Sequence, residues 1–84
     1  MQKSTHTREY RVFLETLKEF RQRARLSQVT LAEKLQQSQS FVSKTERGEA
    51  RLDIVQLRVM CRTFGTTLPA FVAEYEARLA SKKK

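Results

Sequence analysis

Between Ser27 and Gly48 the chain spells two short helices with almost nothing between them, SQVTLAEKL and SQSFVSKTERG around Gln36-Gln37. Each run opens on a serine, a residue whose hydroxyl accepts from the unpaired N–H groups of a first helical turn. In the first run Val29, Ala32 and Leu35 recur at helical spacing and are expected to point inward. In the second, Phe41, Val42 and Thr45 share a face, and Gly48 supplies the usual residue just past a helix end. Gln36-Gln37 leaves room only for a tight turn. Two helices so joined must cross closely. That requires a small side chain on the first, Ala32, and an apolar side chain near the middle of the second, Val42, to lock the pair.

The rest of the chain is helical as well. Tyr10, Phe13, Leu14, Leu17 and Arg21 follow one another at helix spacing, with Phe20 and Ala24 extending the stripe, which predicts a helix from about Thr7 to Ala24. Ser4, Thr5 and Thr7 are its candidate caps, and Arg11, Lys18, Gln22 and Arg25 its outer face. Asp53 and Gln56 have the spacing of a capping box. They open a helix expected to bury Ile54, Leu57, Met60, Cys61 and Phe64 and to stop at Gly65. Thr67 caps a last helix, with Pro69 tolerated in its first turn. Only 2 Gly and 1 Pro interrupt the 84 residues. The expected architecture is all-α, a compact five-helix bundle forming one domain over residues 1–84, frayed over 1–6 and ending in a basic tail over 81–84.

The charge narrows the partners. Lys and Arg number 17 against 9 Asp and Glu, a formal net charge of +8, with a pI near 10.3. A small domain with a pI above ~9 is a candidate polyanion binder. One cysteine, Cys61, excludes an internal disulfide and a Cys-rich zinc site and fits a reducing cytoplasm. It falls on the apolar face of the fourth helix and is expected to be core. His6 has no Cys or His at ligand spacing, so no metal is expected. No Gly-rich phosphate loop and no nucleophile–base pair point to catalysis, and no cofactor is implied. No run is apolar enough for a signal peptide or a membrane span. The localisation expected is therefore cytoplasmic.

Two helices joined by a turn of about three residues form a helix-turn-helix, whose second helix can enter the DNA major groove. The sequence resembles the Cro and phage-repressor type of helix-turn-helix regulators, the XRE family. The resemblance rests on Leu26-Ser27-Gln28, Leu31-Ala32-Glu33-Lys34-Leu35, Ser38-Gln39-Ser40, Val42-Ser43-Lys44, Glu46-Arg47-Gly48 and the later Leu57 with Phe64-Gly65, and it spans roughly residues 17–72. It implies a lambda-repressor-like domain that binds double-stranded DNA with the helix Gln39–Arg47. By position, Gln39, Ser40, Ser43 and Lys44 are the base-reading candidates. Glutamine can pair with adenine, lysine can donate to guanine, and serine is permissive. Gln28, Arg47 and Arg51 are the phosphate candidates, and Arg21 with Glu46 matches a buried structural pair. Dimeric repression at a palindromic operator is the expected mode. Antitoxins share this unit, so a toxin or co-regulator partner is the alternative. Sequence-independent binding to nucleic acid is a third reading.

Three positions depart from the family pattern. Gln36 and Arg25 stand where glycine is common. At Gln36 a left-handed backbone would cost about 1 kcal/mol, unless the first motif helix lengthens instead. Thr45 replaces a larger apolar residue. The last helix carries Phe71, Val72, Tyr75 and Leu79, a stripe that can either pack on Tyr10, Phe13 and Leu14 of the first helix or form a twofold dimer interface.

Overall fold

A computed structural model of the chain describes residues 7–81. Five helices follow in order: α1 (Arg8–Arg23), α2 (Gln28–Leu35), α3 (Gln39–Glu46), α4 (Ile54–Thr63) and α5 (Leu68–Ser81). Ser81 belongs to α5. The expected frayed start, His6, and the lysines of the basic tail lie outside the described residues.

Each helix starts on a side-chain acceptor. Thr7 accepts from Tyr10 N–H at 3.1 Å, Ser27 from Thr30 at 3.0 Å, Ser38 from Phe41 at 3.0 Å and Thr67 from Ala70 at 3.2 Å. Asp53 accepts from Gln56 N–H at 2.8 Å while Gln56 Oε1 accepts from Asp53 N–H at 2.9 Å, a complete capping box. Four helix ends share one closure. The N–H groups of Arg25, Gln36, Gly48 and Gly65 reach back to the carbonyls of Gln22, Glu33, Thr45 and Arg62. The next residue in each case reaches one further, to Arg21, Ala32, Lys44 and Cys61. This is the Schellman arrangement, and it demands a left-handed residue. The φ values are 62° at Arg25, 57° at Gln36, 82° at Gly48 and 86° at Gly65. Gln36 therefore takes the strained turn rather than lengthening α2, and Arg25 does the same at the end of α1.

The core has two parts. Leu17 and Phe20 of α1, Met60 and Cys61 of α4 and Phe71 of α5 form the larger one. Leu31 and Ala32 of α2 pack with Val42 of α3 in the smaller, with Leu35, Phe41 and Phe64 touching both. Two expected core residues stay outside it. Val29 is 46% exposed, because the buried face of α2 centres on Leu31 and Ala32 and leaves Val29 roughly 110° around the helix. Ile54 is 63% exposed: it is the first residue of α4, and its side chain leans past the end of the helix rather than onto the core. Two residues outside the expected stripe are buried instead, Val12 and Thr16. Thr16 is tolerated there because its hydroxyl donates to the Val12 carbonyl at 2.7 Å.

The α5 stripe packs on α1. Phe71 is buried, and the Phe13 ring meets Phe71 at 6.0 Å and Tyr75 at 6.2 Å, both edge-on. Phe71 is thus covered by its own chain and offers nothing to a second copy, whereas Val72 remains exposed. Polar ties reinforce the contact: Arg8 Nη2 donates to the Leu79 carbonyl at 2.7 Å, and Tyr75 hydroxyl to the Glu9 carbonyl at 3.0 Å. Arg23 pairs with Glu74 at 2.6 Å, and Arg78 pairs with Glu19. Among the described residues no helix is long and apolar enough to cross a membrane, and no cluster of metal-ligating side chains occurs.

Candidate nucleic-acid interface

α3 is short, and its two sides have different fates. Val42 and Thr45 are fully buried, the former against Leu31 and Ala32. On the other side Gln39, Ser40 and Lys44 are exposed and Ser43 is half-buried. All four base-reading candidates therefore lie on one outward face. The Ser38 cap leaves that face starting at the first turn, where backbone N–H groups still point outward.

Behind α3, Arg21 and Glu46 are joined. Arg21 Nε donates to Glu46 Oε2 at 2.6 Å and Nη2 to Oε1 at 3.1 Å, while Nη1 donates to the Leu26 carbonyl at 2.8 Å. Gln28 enters the same cluster, its Nε2 donating to Glu46 Oε1 at 3.0 Å. The sequence assigned Gln28 and Glu46 to separate tasks; the fold ties the start of α2 to the end of α3 through them. A glutamine amide has two N–H donors, so this bond does not use up its capacity.

Arg47 and Arg51 are both exposed at the exit of α3. Arg47 is already engaged. Its Nε and Nη2 donate to the two carboxylate oxygens of Glu49 at 3.1 and 3.0 Å, and its Nη1 donates to the Ser43 hydroxyl. The hydrogen bonds to Glu49, and then its charge, raise the Arg47 pKa. The same bonds and the Arg47 charge hold the Glu49 carboxyl below the usual carboxylate range, with Lys44 adding to the pull. Arg51 lies with its guanidinium carbon 5.8 Å from the centroid of the Tyr10 ring.

The fold is shared with known proteins. The helix-turn-helix domain family matches residues 13–74. An XRE-family like protein from Pseudomonas syringae pv. tomato str. DC3000 superposes with a TM-score of 0.78 at 40% sequence identity, over 89% of this chain and 94% of that one. The chain belongs to the XRE-type helix-turn-helix family. It is a DNA-binding transcriptional regulator of that type. The clp gene regulator ClgR from Corynebacterium glutamicum shares the fold in two crystal structures. One has a TM-score of 0.76 at 22% identity, covering 86% of this chain and 77% of that one. The other has 0.74 at 21%, covering 89% and 96%. No curated protein matches the chain.

Two residues of this XRE-type regulator escaped the sequence reading of the site. Glu49 had a local signal, since it follows Arg47 by two positions and bears the opposite charge. Tyr10 had none. It read only as one more apolar position on α1, and its nearness to Arg51 is a product of tertiary packing. Cys61, as expected, is interior: burial pushes its thiol up to about 11, which keeps it protonated and unreactive at neutral pH.

Proposed function

We propose that the regulator inserts α3 into the major groove and reads bases through Gln39, Ser40, Ser43 and Lys44. The observation that carries this reading is the division of α3, with those four side chains on one outward face and Val42 and Thr45 sealed beneath. Gln28, Arg47 and Arg51 hold phosphates on either side. Arg47 then exchanges Glu49 for a phosphate, and Gln28 uses its second amide N–H. The protein acts as a dimeric repressor in the cytoplasm at a palindromic operator, whose half-sites lie ~34 Å apart, one helical turn of DNA. With Phe71 committed to the core, the twofold contact uses the outer side of α5 around Val72. Selection of binding sites from random double-stranded DNA tests the reading. Enrichment of an inverted repeat supports it. Binding with no enriched sequence overturns base reading, and an enriched site without dyad symmetry overturns the dimer.

A further inference from the structure

We infer that Tyr10 is a positioning residue for Arg51, and that the first turn of α1 exists to aim that arginine at the DNA backbone. The inference rests on the reading of Arg51 as a phosphate ligand. Tyr10 precedes residue 13, where the family match begins. The turn that carries it is fixed from several sides. Thr7 caps it, Tyr75 donates to the Glu9 carbonyl at 3.0 Å, and Arg8 donates to the Leu79 carbonyl at 2.7 Å. The Tyr10 ring leans on Phe13 at 5.4 Å, and Phe13 in turn stands edge-on to buried Phe71 and to Tyr75. The aromatic stack therefore starts in the core and ends under the Arg51 guanidinium, 5.8 Å from the Tyr10 centroid.

The geometry suits a backbone contact. A guanidinium over a ring face is held there by the ring quadrupole, a contact that takes up no N–H donor of its own. An arginine on an exposed loop otherwise loses rotamer freedom when it engages a phosphate, and a rigid platform removes part of that loss beforehand. The ring quadrupole also favours the cation over its face. The first turn of α1 and its ties to α5 make such a platform rigid.

The test measures affinity for a mixed-sequence DNA duplex, and its salt dependence, for wild type, Arg51→Ala, Arg51→Lys, Tyr10→Phe, Tyr10→Leu and the Tyr10→Leu/Arg51→Ala double variant. Tyr10→Leu is expected to weaken binding about two- to fivefold, the range of an exposed cation–π contact. It should also lower the salt slope toward that of Arg51→Ala. Tyr10→Phe, which keeps the ring, should bind like wild type. Arg51→Lys, an exposed change that leaves the fold intact, should weaken binding as Tyr10→Leu does, because lysine keeps the charge but its strongly hydrated ammonium sits less readily over a ring. The double variant should be no weaker than Arg51→Ala alone. If Arg51→Ala weakens binding while Tyr10→Leu and Arg51→Lys leave it unchanged, or if the two losses add in full, the platform is wrong and the phosphate contact stands. If Arg51→Ala has no effect, the phosphate reading itself fails, and the inference with it.

Discussion

Arg21 of α1 grips Glu46 of α3 through both carboxylate oxygens, at 2.6 and 3.1 Å, with side-chain exposures of only 9% and 8%. This pair fixes the far end of α3 against the body of the bundle. Removing one partner strands a buried charge. Glu46→Ala and Arg21→Ala are each expected to cost about 3–5 kcal/mol of stability. The apolar pair Arg21→Met with Glu46→Leu should recover much of that, since neither charge is then left alone. Urea midpoints of the three variants check this. A double variant as unstable as the singles would show that the ties to Gln28 and Leu26, not the ion pair, hold the cluster.

Gln36 carries a φ of 57° in the turn between α2 and α3, a region where a Cβ is costly. Nothing about its side chain explains the choice of glutamine. Gln36→Gly is expected to raise stability by about 1 kcal/mol, and Arg25→Gly at φ 62° by a similar amount. Thermal unfolding of the two variants measures both. No gain would mean that glycine's freedom in the unfolded chain cancels the relief.

The helix boundaries were legible because their determinants are local. Ser27, Ser38, Asp53 and Thr67 act within three residues of themselves, and each caps the helix it was expected to cap. The outward face of α3 was legible because Val42 and Thr45 fix the opposite face by periodicity. Most contacts between distant segments were not. No local pattern places Tyr10 under Arg51, joins Gln28 to Glu46, or pairs Arg23 with Glu74. Ile54 and Val29 failed for a related reason. Periodicity marks an apolar stripe, but where a neighbouring helix stops covering it is set by the packing.

Thr45 is fully buried, and its hydroxyl finds no hydrogen-bond partner. A lone buried hydroxyl is a net cost, and valine has nearly the same shape. Thr45→Val should therefore stabilise the domain by about 1–2 kcal/mol. A raised denaturant midpoint with an unchanged slope and unchanged DNA affinity is the expected result. A loss of stability would show that the hydroxyl is satisfied by a bound water.

Cys61 gives a pH signature. Its folded pKa is raised by burial, from 9.0 to about 11. In the unfolded chain the thiol ionises first, so alkali draws the equilibrium toward unfolding. The contribution is fully present below pH 9 and is lost as pH rises toward 11. Cys61→Ala should be less stable at neutral pH, because it leaves a cavity. Its stability should nevertheless fall less between pH 9 and 11 than that of wild type. Parallel declines in the two proteins would mean that the alkaline loss comes from other groups.

Glu49 holds Arg47 by a two-point carboxylate bridge at 3.1 and 3.0 Å, in the place a phosphate would take. It also puts a negative charge beside the surface expected to face DNA. Glu49→Gln removes that charge and releases the guanidinium. It is expected to tighten binding to DNA and to steepen the dependence of log affinity on log salt by about one phosphate's worth. Arg47→Ala should abolish the gain when combined with it, because the released group is then missing. Fluorescence anisotropy across a salt series resolves the effect. If Glu49→Gln tightens binding equally with and without Arg47, the carboxylate acts by simple repulsion of the backbone and not by occupying the arginine.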